Sequence, residues 1–284
     1  MSHICRSSVA RMVGTLLLVL PFVVSTSCSK PSKPPANVAG GGDVKALSKQ
    51  VRKMDKRLKR IEKLLAQYLN QPPEPDPDAV YSMPVDGDPF KGEKHARVTV
   101  VKAFEFACGF CFKSSSTMTQ LLKDYKGKIK IAYKYFMVHD VALASGQASC
   151  AAHKQGKFAE FEALVWDKAF NKQDISAKKM TELAGELKLD MTKFAEDVKS
   201  KECENWLKSS QKSLARLGTS GTPAFYINGR FLSGAQPIEN FKKLIDEELV
   251  KADKVIASGT PVESYYKKHV VEKGLKELKK PDED

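Results

Sequence analysis

The chain has 284 residues, 42% hydrophobic and 29% charged, enough for one well-buried core with appendages or for two small domains. The 47 Lys and Arg against 34 Asp and Glu leave a net charge of +13. Such an excess fits nucleic acid, an anionic membrane surface or plain solubility, and composition alone excludes none of them; the location of the charge has to decide.

Arg6 and Arg11 precede MVGTLLLVLPFVV. This apolar run falls short of the roughly 20 residues that span a bilayer and has the length of a secretory h-region, so residues 1–27 are expected to be a signal peptide. The stretch STSC, Ser25 to Cys28, reads in two ways. Ser25 and Ser27 suit a small-x-small cleavage site. Small residues directly before Cys28 also resemble a bacterial lipoprotein box, with Cys28 lipidated as the first mature residue, although Ser25 stands where such boxes usually carry Leu or Val. We take Cys28 as the lipid site, anchoring the chain to a membrane on the extracytoplasmic side; a simply secreted, periplasmic chain is the alternative. Export removes nucleic acid from the list of partners. It also places the remaining cysteines in an oxidising compartment. With Cys5 lost in the leader and Cys28 taken by lipid, Cys108, Cys111, Cys150 and Cys203 remain, an even number.

Residues 28–42 are rich in Pro, Gly and Ser and read as a flexible tether. Residues 43–69 carry the clearest periodicity of the chain. Val44, Val51, Leu58 and Leu65 fall at one heptad position and Leu47, Met54, Ile61 and Tyr68 at the other, with Asp43 placed to cap the helix. Arg57 at g and Glu62 at the following e have the spacing that pairs parallel strands, and Leu64 and Leu69 widen the seam toward more than two chains. A lone helix of this length is marginal in water, so the pattern predicts a coiled-coil oligomerisation helix and a homo-oligomer. The alternatives fold it back on its own domain or lay it on a membrane, since it holds nine Lys/Arg against three acids. Residues 70–79, with four prolines at near-alternate positions, predict a stiff, extended linker.

The globular part is expected over 80–250. ARVTVVKAF reads as a buried strand, GFCFKSSSTMTQLLKDY as a helix and KIKIAYKYF as a second strand, together a right-handed βαβ unit. About 80 residues, 138–217, are helical in pattern. Strand signals return with PAFYINGRFLSG, a hairpin around Asn228-Gly229, and a helix over 237–249 follows, with Pro237 at its first turn. The tail, 251–284, reads as helical, basic and peripheral.

Cys108 and Cys111 sit where the first strand gives way to the helix. A cysteine there meets unsatisfied N–H groups and the positive end of the helix dipole, both of which favour thiolate. Cys111, one turn on, is close enough for a disulfide, so one thiol attacks and the other resolves. Two duller readings compete. A zinc site needs four ligands, and no second knuckle of Cys or His accompanies the pair, even if Cys150 and His153 are considered. A structural disulfide of this spacing closes too short a loop to constrain much. No cofactor or metal is expected. Export and parity point to a structural disulfide between Cys150 and Cys203, against two buried free thiols.

VTVVKAFEFACGFC, CAAHKQGKFAEFEALVW and GTSGTPAFYINGRFLSGAQP resemble, in that order, the DsbA-like branch of the thioredoxin superfamily. The likeness covers roughly 80–250 and implies an α/β thioredoxin fold with an inserted α-helical subdomain. It implies further that Cys108 is the nucleophile and Cys111 the resolving thiol. Thr222 and Pro223 match the loop whose cis proline faces the disulfide beside an extended substrate. One position departs: relatives commonly carry an acid six residues before the nucleophile, where this chain has Lys102, which either favours a thiolate by its charge or faces solvent; we take the latter. Glu105 matches another frequent acidic position. His139 reads as structural or solvated, and Trp166 and Trp206 as core.

The resemblance implies an envelope thiol:disulfide oxidoreductase acting on exported proteins and served by a membrane redox partner. Phe110 stands where strong oxidases of the family carry His, so isomerase or reductase activity is at least as well supported as net oxidation. A dedicated reductant for cytochrome c or copper-protein maturation is a second enzymatic reading; a surface lipoprotein that mainly binds a partner is one of another class.

Overall fold

The computed structural model describes residues 42–69 and 74–278. The expected signal peptide, Cys28 and the tether up to residue 41 lie outside the described residues, as do 70–73 of the linker and 279–284 of the tail. The chain divides into two units at Leu69 and Asn70, each described by itself.

The first unit contains α1, Gly42–Leu69, a single 28-residue helix. It starts one residue before Asp43, so the residue expected to cap it lies inside the first turn. From Val44 to Leu65 every seam side chain is exposed, Met54 the most at 67%. Lys59 and Asp55 pair along the helix at 3.0 Å, a contact of a few tenths of a kcal/mol at most.

The second unit is built on a five-stranded sheet in the order β1-β3-β2-β4-β5. These strands are β1 Phe90–Gly92, β2 Val98–Phe104, β3 Ile129–Tyr135, β4 Ala224–Ile227 and β5 Arg230–Ser233. All seven residues of β2 are buried, which is why it reads as an unbroken apolar run: it is covered on both faces. β2 and β3 are parallel, joined through α2, Gly109–Asp124. β1, β4 and β5 join antiparallel. The period of two divides β2 between two clusters. Val98, Val100 and Phe104 face the larger one, under α2, and Val101 and Ala103 the smaller one, with Tyr81, Leu214 and Tyr226. Phe104 meets the rings of Phe106, Tyr133 and Tyr135 edge-on, with centroids 5.3 to 5.4 Å apart.

The β4–β5 turn uses Asn228 and Gly229, both at positive φ, as a two-residue hairpin of this twist requires. A side chain at 229 would meet the Tyr81 carbonyl at 2.6 Å. Buried Asn228 also ties down the start of β2, accepting from Thr99 N–H at 2.9 Å and donating to the Arg97 carbonyl at 3.1 Å.

Between β3 and β4 the chain makes a helical layer: α3 Leu143–Lys154, α4 Phe158–Leu164, α5 Ala177–Glu186, α6 Met191–Val198 and α7 Lys201–Arg216. Side-chain caps start three of them, with Ser176, Asp190 and Ser200 accepting from backbone N–H groups of the first turn. Cys150 of α3 and Cys203 of α7 are joined in a disulfide, both buried.

The C-terminal part departs from expectation. Pro237 is the cap rather than the first helical residue of α8, which runs on through Ile238–Ala257. The segment after it is not peripheral. α9, Val262–Tyr265, and the turns that follow bury Tyr265, Tyr266 and Val270. Tyr266 donates to the Met83 carbonyl at 2.7 Å and Leu275 bridges to Tyr81. The many lysines of this segment mask these three core residues.

Replacing both Cys150 and Cys203 by Ser is expected to lower stability by about 4 kcal/mol on the chain-entropy model. The reading is a lower urea midpoint; a wild-type midpoint would show that closing this loop contributes nothing.

Candidate active site

Pairing between β2 and β4 runs from Val100↔Ile227 to Ala103↔Ala224. That register delivers Pro223, which precedes Ala224, to the C-terminal end of β2, where the chain turns into α2. The Thr222–Pro223 peptide is cis, and the Pro223 carbonyl is tied to Gly234 N–H at 3.0 Å.

Cys108 is the N-cap residue of α2, in extended conformation, and its sulfur accepts the Cys111 N–H at 3.2 Å. The Cys108 carbonyl accepts from Phe112 N–H at 3.1 Å, opening the helical ladder. On its other side the Cys108 thiol donates to the Thr222 carbonyl at 3.2 Å. Thus the structure brings Cys108, Cys111, Thr222 and Pro223 into one site, whereas Cys150 and Cys203 form the separate cross-link between α3 and α7.

Both sulfurs are reduced and largely covered, but unequally. Cys108 keeps 6% of its surface and Cys111 none, while the intervening Phe110 is 65% exposed. The two thiols are driven apart in acidity. Hydrogen bonding from Cys111 pulls Cys108 down to about 6 against the opposing effect of burial, with help from the Thr222 side chain and the amides of Cys111 and Phe110. Burial, and then that same thiol–thiol contact, pushes Cys111 far up. At neutral pH the pair is therefore a thiolate that can attack and a thiol that must first lose a proton.

Two charged residues complete the surroundings. Glu105, fully buried, accepts the N–H groups of Val138 at 2.8 Å and His139 at 3.1 Å, and also binds His139 Nδ1. It thereby clamps the loop after β3 to the end of β2, and its hydrogen bond and charge raise His139 above its ordinary value. His139 is more than a lone solvated residue. Lys102, expected to face solvent, is instead fully buried and donates to the Cys111 carbonyl at 3.3 Å. The signal is present in the sequence: Lys102 shares the strand parity of Val100 and Phe104. Trp166 is buried, and Trp206, partly so, donates to Asp88 at 2.9 Å.

Iodoacetamide should modify Cys108 of the reduced chain with a midpoint near pH 6, the rate being full above it and lost as the thiolate is protonated below it. Cys111 should stay unmodified until the chain unfolds. A Cys108 midpoint near the ordinary thiol value of about 8.5 would contradict the hydrogen-bond arrangement described.

Residues 85–247 match the family model described as Thioredoxin. The chain is 26% identical over 186 residues to disulfide bond formation protein D of Bacillus subtilis, covering 61% of this chain and 82% of that protein. It is 27% identical over 165 residues to the Na(+)/H(+) antiporter NhaA 3 of Salinispora tropica, covering 57% of this chain and spanning only 25% of the antiporter's length. Among solved structures, oxidised BdbD from Bacillus subtilis superposes with a TM-score of 0.55 at 19% identity, over 63% of this chain and 100% of that one. The alpha-DsbA1 protein of Wolbachia pipientis gives a TM-score of 0.54 at 17% identity, over 61% of this chain and 96% of that one. These two likenesses establish the fold, a thioredoxin fold with an inserted helical subdomain. With more than half of its length matched by the family model, the chain belongs to the thioredoxin family.

Proposed function

We propose that the chain is a thiol:disulfide oxidoreductase of the cell envelope that exchanges disulfides with exported proteins through Cys108 and Cys111. The observation that carries this reading is the unequal sulfur pair at the start of α2, one ionised and accessible at its edge, the other buried and protonated. The relationship to a protein named for disulfide bond formation supports it.

In the reducing direction the Cys108 thiolate attacks a substrate disulfide, forming a mixed disulfide and expelling one substrate sulfur as thiolate. Cys111, once deprotonated, attacks Cys108 Sγ, breaks the mixed disulfide and releases the second substrate thiolate. The substrate gains two electrons and the chain is left as the Cys108–Cys111 disulfide. Oxidation runs the same steps backwards, and isomerisation ends when another substrate thiol resolves the mixed disulfide. The exposed apolar residues Phe110, Val138, Val141 and Leu143 suit unfolded protein substrates.

The way the thiolate is held supports a reading of direction. Thiols at such positions range from about 3.5 in strongly oxidising members to about 7 in thioredoxin. A value of about 6, held by neutral hydrogen bonds with no charged residue between the cysteines, lies near the reducing end. This supports isomerase or reductase activity at least as well as net oxidation, with a membrane redox partner returning the pair to its working state. The leader-like residues 1–27 and Cys28 support an exported, lipid-anchored chain. The exposed heptad seam of α1 supports a parallel homo-oligomer that presents several sulfur pairs together.

With a disulfide-scrambled protein as substrate, Cys108→Ala should abolish turnover, and Cys111→Ser should accumulate mixed disulfides visible on non-reducing gels. A chain that acts only by binding would keep its phenotype in Cys108→Ala and trap nothing. Leu58→Lys with Ile61→Lys should reduce the sedimenting mass of the mature chain to that of a monomer while leaving Cys108 alkylation unchanged; an unaltered mass would refute the seam as the interface.

A further inference from the structure

The last residues of the proline-rich linker are pinned to the sheet domain. Pro75 is buried, and a side chain at Gly218 would meet its ring at 3.2 Å, so a glycine at positive φ lets the two segments close on each other. Asp76 donates its backbone N–H to the Tyr81 hydroxyl at 2.8 Å. Arg230 of β5 donates to the Pro77 carbonyl at 3.4 Å and pairs with Asp78 at 3.4 Å. These contacts bring Glu74 against the loop of Pro223, where its Oε1 accepts from the Ser233 hydroxyl at 3.4 Å.

Glu74 thereby becomes one wall of a cavity of about 160 Å³, whose other walls include Thr222, Pro223, Phe231, Ser233 and Gly234. That volume is below the roughly 300 Å³ at which small-molecule sites begin, and it suits a single side chain. Thr222 fixes the place of the cavity relative to the reactive sulfur, because the carbonyl of this lining residue accepts the Cys108 thiol at 3.2 Å. Consecutive Cα atoms are about 3.8 Å apart, so a substrate cysteine bonded to Cys108 carries its sequence neighbours to the mouth of this cavity.

The lining is of two kinds. Pro223 and Phe231 are apolar, and among the described residues that line the cavity Glu74 alone is ionisable. Among the described residues, no Lys, Arg or His nitrogen lies within 4.0 Å of its carboxylate. An apolar lining with one acid matches lysine or arginine, which lay a methylene stem on apolar surface and present a cation at its end. An acidic side chain would meet like charge there, and a neutral one would gain no ion pair. Residue 74 also precedes the span 85–247 that the thioredoxin model matches, so this wall comes from the linker and not from the shared fold.

We propose that Glu74 is a specificity-determining residue: the cavity it closes takes the side chain of a lysine or arginine next to the reacting cysteine of the substrate. This rests on the exchange activity proposed above and names its substrate class, exported proteins with a basic residue beside that cysteine.

Symmetric disulfides of the peptides Ala-Xaa-Cys-Xaa-Ala, with Xaa as Arg, Gln or Glu, are mixed with excess reduced mature chain. The rate of peptide thiol release is followed by acid quench and chromatography. Charge beside a cysteine also alters its quality as a leaving group, so each rate is divided by that of dithiothreitol, an uncharged dithiol, with the same peptide. On this scale the Arg peptide should exceed the Gln peptide by about fivefold, the upper end for an exposed ion pair, and the Glu peptide should fall below both. The preference should fade in about 1 M salt. In Glu74→Gln the three normalised rates should come within about twofold of one another, and in Glu74→Lys their order should reverse. The pH midpoint of Cys108 alkylation in Glu74→Gln reports whether the loop is still in place.

Equal normalised rates for the three peptides in the unaltered chain would overturn the proposal, as would an Arg preference that survives in Glu74→Gln. Equal slowing of all three peptides in Glu74→Gln, with the Arg preference kept or the alkylation midpoint moved, would assign Glu74 to holding the loop and overturn it as well. An unaltered chain that releases thiol from none of the peptides would instead refute the exchange activity itself.

Discussion

The hydrogen bond from the Cys111 amide to the Cys108 sulfur is the contact on which the site depends. It makes a sulfur, rather than a hydroxyl or carboxylate oxygen, the cap of α2. A cap is worth most when it is an anion, because the first-turn amides and the helix dipole point at it. The helix is thus best satisfied by the ionised form of the residue that begins it. Everything nearby serves to keep that end in place: β2 delivers the turn, α2 packs its Met118 and Leu121 into the larger cluster, and the Thr222–Pro223 loop closes over the sulfur from the β4 side.

The same geometry explains why two cysteines three residues apart behave as opposites. Cys108 faces the edge of the protein and is solvated in part by backbone amides, whereas Cys111, one turn on, points into the apolar layer, where burial outweighs the Lys102 charge and the backbone hydrogen bond at Glu105. A single helical turn separates a group that is charged at neutral pH from one that is not. Glu105 contributes at longer range, by fixing the loop that carries His139 against the same strand end.

Much of this is legible in the residues. The buried run 98–104, the helix after Cys108, the Asn228-Gly229 hairpin and the 80-residue helical interruption each carry a local signal, a period or a turn residue, that tertiary packing reinforces. What is not legible depends on long-range contact. β1 is three residues long and holds no period of its own; it is a strand because β3 offers it an edge. The tail looks peripheral because its lysines outnumber its buried aromatics, and only the fold shows Tyr266 reaching Met83. Lys102 escapes for a different reason. Residue type and position disagree there: a lysine suggests solvent, whereas the alternation of the strand already puts it inside.

The cross-link between α3 and α7 has a consequence for how such a chain could live with its own chemistry. Exchange at a sulfur–sulfur bond requires an incoming thiolate to approach along the bond axis. Cys203 has no accessible surface and Cys150 only 4%. The bond is therefore insulated from an incoming thiolate, however reactive the Cys108 sulfur of the same chain. Insulation against attack is equally insulation against repair, so the pairing has to be right before α3 and α7 close over it.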